Sequence, residues 1–242
     1  MSSLKNKRPF KFKQFEIYQD KTAMKIGTDG VLLGAWADVS SAQNILDIGT
    51  GTGVIAIMAA QRNPKSKIYA VEIDKNAFLQ AKSNIENCRW KNRIEIHHDS
   101  IQVFSDDSKI KFDAVLSNPP FFTNGTPPPS DSRTNARHTK QLSPTELIHS
   151  VEKILSEHGI FSIIQPTHEG TQIIEIAKSY HLFCTKMVKV KSKKDKPTER
   201  LLLQFEKEKK ERTISELTIQ FEQRNNYTPE YIELTKAFYL NM

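Results

Sequence analysis

The segment LSNPPFF, residues 116–122, ends an apolar run with an amide, two prolines and two aromatic side chains. Prolines cannot continue a central strand, because they donate no backbone N–H and restrict the preceding residue. Asn118 offers a side-chain amide oxygen, and the Pro119–Pro120 pair fixes the direction of the Pro119 carbonyl. Two such acceptors can hold both N–H groups of an exocyclic amine. Such an amine attacks poorly because its lone pair is delocalised. Hydrogen bonds from both of its N–H groups favour the transition state, in which the nitrogen is pyramidal and positively charged.

Phe121 follows the prolines and offers a flat apolar face on which a planar substrate can stack. Phe122 can share that role or pack into the core. A base in folded nucleic acid would have to leave its stack to reach such a site. The structural alternative is a strand capped by an Asx-type turn, followed by two core phenylalanines. The segment therefore predicts a site for a planar amine without naming the molecule that carries it.

A second motif, LDIGTGTGV, places Gly49, Gly51 and Gly53 between an apolar run and a helix-like stretch. Glycines there permit a tight turn and a close approach of the backbone to a ligand. The spacing is GxGxG rather than the GxGxxG of dinucleotide binders, and nothing nearby resembles the lysine of a phosphate-binding loop. An ordinary strand–helix turn and an NAD site are the alternatives.

Acidic side chains stand at three successive predicted strand ends around this turn, at Asp47, Glu72 and Asp99. Glu72 can accept both hydroxyls of a ribose, and Asp99, with Ser100 beside it, can accept from an adenine amino group. Asp47 can meet a cationic group of the ligand. A nucleoside with a positively charged tail meets these requirements, and S-adenosylmethionine is such a molecule. We therefore expect this cofactor, with transfer of its methyl group to an amine at Asn118, which is also counted among the cofactor contacts.

The elements that must carry these residues alternate along the chain from residue 44 onward. We expect strands at 44–49, 67–73, 93–98, 112–117, 160–166, 183–190 and 200–206. Helical spacing covers 53–62, 76–88, 144–158 and 168–180, with Ser143 and Glu146 in a capping-box pattern and Gly159 after the third helix. This alternation implies an α/β fold with a mainly parallel sheet, helices on both faces and a C-terminal antiparallel hairpin. The motifs fall at the carboxyl ends of the strands, where such sheets bind ligands.

Charge is concentrated in two stretches of a chain whose net charge is +7 and whose pI is near 9.2. Residues 1–25 and 186–200 each hold seven Lys or Arg against two acidic residues, which gives a combined net charge of +10. Such clusters neutralise phosphates, so RNA is the expected partner, and a solvated basic surface is the alternative. Aromatic residues between the charges, such as Phe10 and Phe12, can stack on bases or anchor the segment to the core.

Composition disfavours several other classes of protein. The 242 residues, with 38% hydrophobic content, suffice for one α/β core, and no apolar run predicts a membrane span. Cys88 and Cys184 lie far apart without CxxC spacing, which favours a reducing cytoplasm over a zinc or disulfide framework. The first residues lack the apolar core of a secretion signal. We expect no metal and no obligate protein partner.

The pair DIGTGTG and NPPFF, in this order and at this distance, resembles class I methyltransferases that act on planar amines. Three further stretches narrow the resemblance: MKIGTDGVLLGAWA (24–37), the segment with Arg133 and Arg137, and YTPEYIELTKAFYL (227–240). Together they resemble the bacterial methyltransferases that modify the N-6 amine of the adenine beside the anticodon of a valine tRNA. The resemblance covers nearly the whole chain and implies a Rossmann-like class I methyltransferase fold with a seven-stranded sheet.

Carried over by position, the resemblance implies that residues 118–121 hold the target adenine and that Thr28 and Asp29 lie close to the cofactor. From the residues alone, IGTDG can equally be a turn that starts a helix. Residues 1–40 would form an extension on the cofactor and RNA side, and residues 41–242 the methyltransferase domain. The predicted RNA contacts are Phe121, Phe122, Arg133, Arg137, Lys191, Lys193, Lys194 and Arg200, of which the three lysines come from the basic stretch 186–200. Arg137 and Arg200 can bind phosphate or brace their loops.

Other activities remain open at this point. Release-factor glutamine methyltransferases carry an NPPY-type motif and rRNA guanine methyltransferases an NPPF-type motif, so Phe121 does not decide between these substrates. Such enzymes usually have a long extra N-terminal domain, which we do not expect here, and the charge favours RNA over protein. From a different class, the chain could be a non-catalytic RNA-binding module, against which the intact Asp47, Glu72 and Asn118 argue.

Overall fold

The computed structural model describes residues 8–22, 24–120 and 142–242. Phe121, Phe122, Arg133 and Arg137 lie outside the described residues. The strands are β1 (Phe10–Lys11), β2 (Glu16–Ile17), β3 (Asn44–Ile48), β4 (Lys67–Glu72), β5 (Ile94–His98), β6 (Phe112–Ser117), β7 (Leu155–Pro166), β8 (Phe183–Lys191), β9 (Arg200–Glu206) and β10 (Thr213–Thr218). The helices are α1 (Thr28–Trp36), α2 (Val54–Arg62), α3 (Lys75–Glu86), α4 (Ile101–Asp107), α5 (Pro144–Ile154), α6 (Thr167–Ser179) and α7 (Pro229–Thr235).

Strands β3 to β10 form one sheet in the order β10-β8-β9-β7-β6-β3-β4-β5. Strands β3 to β7 run parallel to one another, whereas β9 inserts antiparallel between β7 and β8. The predicted fold class is therefore confirmed, including the antiparallel hairpin of β8 and β9. The chain runs outward in opposite directions from β3 and β6, and a crevice opens beyond their carboxyl ends at such a reversal.

The sheet also has an eighth strand that the pattern did not predict. β10 pairs in parallel with β8, and only Leu217 of its six residues is buried. A strand with one buried side chain lacks the alternation of apolar and polar residues by which half-buried strands are recognised. Its position covers the edge that the β8–β9 hairpin would otherwise expose.

The third predicted helix is correct at its start and too long at its end. The Ser143 side chain accepts from the Glu146 backbone N–H, and the Glu146 carboxylate accepts from the Ser143 N–H at 2.9 Å, so the capping box is present. The helix ends at Ile154, however, and Gly159 lies inside β7. A Cβ at residue 159 would lie 2.8 Å from the Phe112 carbonyl oxygen, where the register of β6 and β7 shifts. The glycine therefore permits a close strand contact and does not end a helix.

Two apolar clusters cover the two faces of the sheet. Helices α1, α2, α3 and α7 contribute buried side chains to one cluster, and α4, α5 and α6 contribute to the other. Phe12 and Phe15 of the N-terminal segment belong to the first cluster, with ring centroids 4.5 Å apart, so they anchor the segment to the core. Within the described ranges, every helix is too short or too polar to span a bilayer.

One buried amide fastens the N-terminal segment to the site-bearing part of the fold. Asn84 of α3 is 1% exposed, and its Oδ1 accepts from the Tyr18 N–H at 2.9 Å. Its Nδ2 donates to the carbonyl oxygens of Tyr18, at 2.8 Å, and of Thr52, at 2.9 Å. The same side chain thus connects the N-terminal segment to the glycine-rich turn.

We predict that Asn84→Ala lowers the free energy of unfolding by about 2 kcal/mol, because it removes three hydrogen bonds and leaves buried backbone groups without partners. Chemical denaturation measures the loss, and limited proteolysis should cleave residues 8–22 faster. Asn87→Ala is the matched control, since Asn87 is exposed at the end of the same helix and its amide donates only to Ser83. Equal stabilities of the two variants would contradict the anchoring role.

Candidate functional site

The glycine-rich turn between β3 and α2 uses backbone conformations that other residues rarely adopt. Gly49, Gly51 and Gly53 have φ values of 68°, 59° and 84°. The Gly49 and Thr50 N–H groups donate to the Val71 carbonyl of β4, and the Gly51 N–H donates to the Glu72 Oε2 at 2.8 Å. A left-handed conformation at residue 51 favours glycine, which has no Cβ. The turn is therefore held to β4 by its own backbone.

Asp47 lies beneath the turn, at 1% exposure. Its Oδ2 accepts from the Thr50 hydroxyl at 2.5 Å and from the Ala56 N–H at 3.1 Å, whereas its Oδ1 is buried and has no hydrogen-bond partner among the described residues. Burial raises the pKa of the Asp47 carboxyl to about 7. Its carboxylate supports the turn from below, and a contact with a cationic ligand group stays a prediction.

Glu72 ends β4 and is almost completely buried. One carboxylate oxygen accepts from Gly51, and the other accepts from the Asp74 N–H at 2.9 Å. Burial raises the pKa of the Glu72 carboxyl above its ordinary value. Each oxygen retains a second lone pair, so the carboxylate can still accept hydroxyl groups of a ligand.

Asp99 and Ser100 follow β5, beside Glu72. The Asp99 N–H donates to the Glu72 carbonyl at 3.1 Å, and the Asp99 Oδ1 accepts from the Ser100 N–H at 2.9 Å. The Ser100 hydroxyl accepts from the Val103 N–H at 3.2 Å and so caps α4. Both side chains are half-buried. Their polar atoms therefore stand at the next strand end after Glu72.

Asn118 follows β6 and lies beside the first turn of α1. A Cβ built on Gly30 would lie 3.7 Å from the Asn118 Nδ2, which is ordinary van der Waals contact. Asn118 is half-buried, Pro119 is buried and Pro120 is exposed. The first turn of α1 therefore lies against the Asn118 side chain.

These residues meet in one cavity of about 590 Å³. Its wall includes Gly49, Thr50, Gly51, Glu72, Ile73, Asp74, Asp99, Ser100, Asn118, Pro119 and Pro120. The structure thus brings together the glycine turn, two of the three acidic strand ends and residues 118–120. Gly53 precedes the first residue of α2 and packs against α3, behind the glycine turn. Asp47 lies below the same turn.

Thr28 and Asp29, which are predicted to lie close to the cofactor, stand at the start of α1. Both line a neighbouring cavity of about 930 Å³, and neither belongs to the wall of the first cavity. Asp29 accepts from the Arg200 Nε at 2.8 Å, which joins α1 to β9. Their contact with a cofactor therefore stays a prediction, and Arg200 braces the two elements.

The basic turn after β8 lies at the same edge of the sheet as the glycine turn, because β8 runs in the same direction as β7. Lys191 forms an ion pair with Glu216 at 2.8 Å, and Lys193 donates to the Glu222 carbonyl at 2.8 Å. Lys194 is exposed. Two of the three lysines predicted to contact RNA therefore also hold β10 and the loop after it.

Two residues at the site escaped the sequence analysis. Ile73 follows Glu72 and is 50% exposed at the cavity wall, and Gly30 adjoins Asn118. An isoleucine at a strand end has the same signature as a core residue, so its exposure became visible only in three dimensions. Gly30 could have been found from the sequence, because it follows Thr28 and Asp29, which are predicted to lie close to the cofactor.

The residues of the first cavity fit a nucleoside cofactor with a cationic tail. The cavity volume of about 590 Å³ lies in the usual range for small-molecule sites, roughly 300–1,000 Å³. Its acceptors are carboxylates and backbone groups, and an unpartnered Asp47 oxygen lies behind it. The described residues contain no group of three or more His, Cys, Asp or Glu side chains that could hold a metal ion.

We predict that Asp47→Asn removes a pH dependence of stability between about pH 4 and 7. An Asp in the unfolded chain has an ordinary pKa of 3.8, whereas the pKa of Asp47 in the folded protein is raised to about 7. Its contribution to stability is therefore full below pH 4 and falls by up to roughly 4 kcal/mol as the pH rises to 7. Denaturant unfolding at several pH values, without cofactor, measures the difference between wild type and variant. Asp107→Asn, at an exposed position, is the control; parallel stability curves for wild type and Asp47→Asn would contradict the assignment.

Several curated relatives that align over nearly the whole chain share one name. Residues 22–191 match the model of the methyltransferase small domain family. Proteins named tRNA1(Val) (adenine(37)-N6)-methyltransferase are 47% identical in Trichodesmium erythraeum and 44% identical in Histophilus somni. The alignment with the first covers 96% of this chain and 97% of the relative, and that with the second covers 97% and 98%.

Solved structures share the fold at low sequence identity. A predicted O-methyltransferase from Agrobacterium tumefaciens superposes with a TM-score of 0.70 at 18% identity, over 87% of this chain and 96% of its own. The precorrin-6y C5,15-methyltransferase of Geobacter metallireducens gives a TM-score of 0.52 at 17% identity, over 78% and 95%. The family model and the near-complete alignments to the curated relatives together show where the chain belongs. It is a member of the methyltransferase small domain family and, within it, of the tRNA1(Val) (adenine(37)-N6)-methyltransferases.

Proposed function

We propose that this protein transfers a methyl group from S-adenosylmethionine to the N-6 amine of adenine 37 in tRNA1(Val). One observation carries the proposal: Asn118 and Pro119 share a cavity with the glycine turn and Glu72. An acceptor pair for an amine thus faces a nucleoside site, in a chain whose relatives are named for this reaction. We place the protein in the cytoplasm, where tRNA is modified.

Four groups of this chain are proposed to hold the cofactor. The Glu72 carboxylate accepts the ribose hydroxyls, and Asp99 with Ser100 accepts from the adenine amino group. The backbone of Gly49 and Gly51 lets the nucleoside approach closely, because neither residue has a Cβ. Asp47 lies behind the turn and favours a positive charge in front of it when ionised. When bound, S-adenosylmethionine supplies a methyl group on a positively charged sulfonium.

The role of the NPPFF segment is to orient and polarise the target amine. Asn118 Oδ1 accepts one N–H, and the Pro119 carbonyl, directed by Pro120, accepts the other. Both contacts strengthen as the nitrogen becomes pyramidal and positively charged, which lowers the barrier to attack. We assign stacking on the target base to Phe121, with Phe122 beside it. The product amine can lose its proton to water, so no general base is required.

Binding of the tRNA is assigned to the basic edge of the sheet. The exposed Lys194, with Lys191 and Lys193, lies at the edge that carries the cavity. Arg133, Arg137 and Arg200 are proposed phosphate contacts or braces. We further propose that residues 1–40 act as an extension on the cofactor and RNA side of a methyltransferase domain formed by residues 41–242.

We predict that Asn118→Ala lowers the rate of methyl transfer to tRNA1(Val) by at least about 100-fold, the usual cost of losing one positioned transition-state contact. The dissociation constant of S-adenosylmethionine should change by no more than a few-fold. Single-turnover kinetics and isothermal titration measure the two quantities, with Asn87→Ala as the control. A loss of cofactor affinity as large as the loss of rate would contradict the assigned role. If the wild-type protein methylated guanine in rRNA or glutamine in a release factor, but not this adenine, the proposed substrate would be wrong.

We predict that Lys194→Ala reduces the salt dependence of tRNA binding by about one phosphate contact. The slope of log K against log salt should then fall in magnitude by roughly 0.7–0.9. Lys65→Ala is the matched control, because Lys65 is exposed before β4, at the opposite edge of the sheet. Filter binding at four or more salt concentrations measures the slopes. An unchanged slope for Lys194→Ala would make this lysine part of the solvated surface.

A further inference from the structure

A second cavity of about 930 Å³ adjoins the proposed catalytic site, and we call it the lateral cavity. Its wall includes Phe10, Asp29, Arg200, Asn225, Tyr227 and Tyr239. The N-terminal segment, the start of α1, the β8–β9 hairpin and the segment after β10 all contribute to it. The stretches 24–37 and 227–240 meet there, although neither belongs to the strands that form the central sheet.

The lateral cavity and the first cavity, which holds Asn118 and which we now call the catalytic cavity, lie on two sides of α1. Gly27 borders both cavities, Gly30 adjoins Asn118 on one side, and Asp29 lines the lateral cavity on the other. An α-helix with its side chains is roughly 10–12 Å across. The two cavities are therefore close enough for one extended RNA strand to reach both of them.

The wall of the lateral cavity combines aromatic rings with polar groups. Tyr227 packs against Tyr231 with ring centroids 5.3 Å apart, and Tyr227 is only half-buried. The amides of Gln220, Asn225 and Asn241 also border the cavity and offer both donors and acceptors. Unpaired bases are recognised by this combination, through stacking on aromatic faces and hydrogen bonds to their edges.

The charges inside the lateral cavity favour a base over a phosphate. Asp29 and Glu199 line it together with Lys11 and Arg200, so the formal charges of these four side chains balance, and Asp29 is already paired with Arg200. A phosphate site would need an excess of cations.

Cationic side chains lie outside the cavity instead. Arg224 is exposed in the loop between Gln220 and Asn225, and Lys193 holds that loop through the Glu222 carbonyl. Phe221 in the same loop is 49% exposed. This distribution suits a nucleotide whose base enters the cavity while its phosphates stay at the rim.

We propose that the lateral cavity binds a second unpaired base of the tRNA anticodon loop, stacked on Tyr227, while the target adenine lies at Asn118. The inference rests on the proposed function and adds a separate recognition site to it. The enzyme thereby reads two unstacked bases of one loop, and the second base sets affinity for the RNA without taking part in methyl transfer.

The test uses the full-length protein with S-adenosylmethionine and tRNA1(Val) transcripts in which 2-aminopurine replaces one anticodon-loop base at a time, other than adenine 37. With wild type, one position should lose fluorescence on binding, because its base stacks on Tyr227. Tyr227→Leu should abolish that change and raise KM for the tRNA about tenfold, in the range expected for one lost stacked base. The value of kcat and the dissociation constant of S-adenosylmethionine should stay within about twofold of wild type.

Tyr227→Phe is the matched control, since it retains the ring and should behave as wild type. Asn225→Gly provides an independent variant if Tyr227→Leu does not fold. Asn225 has a φ of 64°, which glycine adopts readily, so this change removes an amide from the wall without straining the backbone. It should raise KM for the tRNA about threefold.

The outcomes separate the two proposals. Suppose that wild type methylates the tRNA and that both Tyr227→Leu and Asn225→Gly show the wild-type KM and the wild-type fluorescence change. This result would overturn the second base site alone, and the occupant of the cavity would then be a small molecule or a protein. A fall in kcat equal to the rise in KM would also contradict it, because the cavity would then act on the catalytic geometry. No methylation of any transcript by wild type would overturn the proposed function itself.

Discussion

The hydrogen bond from the Gly51 N–H to the Glu72 carboxylate is the contact on which the rest of the site depends. It joins the turn after β3 to the end of β4, and the second Glu72 oxygen fixes the start of the next loop through Asp74. A nearly buried carboxylate is costly unless its oxygens accept hydrogen bonds, and here backbone N–H groups supply them. Asp47 adds a second buried support below the turn. The turn and the strand end that line the proposed cofactor site are therefore held by hydrogen bonds of the protein itself.

The parallel sheet explains why residues far apart in sequence meet there. Each strand from β3 to β6 ends at the same edge, so Gly51, Glu72, Asp99 and Asn118 converge without long loops. The N-terminal segment then closes one side through α1, and Asn84 ties that segment to the turn. The same helix separates the catalytic cavity from the lateral cavity, which links the two proposed base sites by one rigid element.

Sequence patterns predicted the parts of this arrangement that repeat a local rule. Glycines between a strand and a helix, carboxylates at strand ends and the capping box of Ser143 each leave a signature within a few residues. Properties that depend on distant partners left none. β10 has one buried side chain, Gly159 is required by the Phe112 carbonyl, and Asp29 turns to Arg200 instead of the first cavity. Four separate stretches of the chain form the lateral cavity, so no single sequence pattern could predict it.

Isothermal titration of S-adenosylmethionine into wild type and Glu72→Gln measures whether this carboxylate forms the cofactor site. We expect one binding event per wild-type chain and an affinity at least tenfold lower for Glu72→Gln, because a glutamine amide cannot accept from both Gly51 and Asp74 and still accept the ribose hydroxyls. Equal affinities for the two proteins would show that the turn does not depend on this carboxylate. An absence of binding to wild type would contradict the nucleoside site altogether.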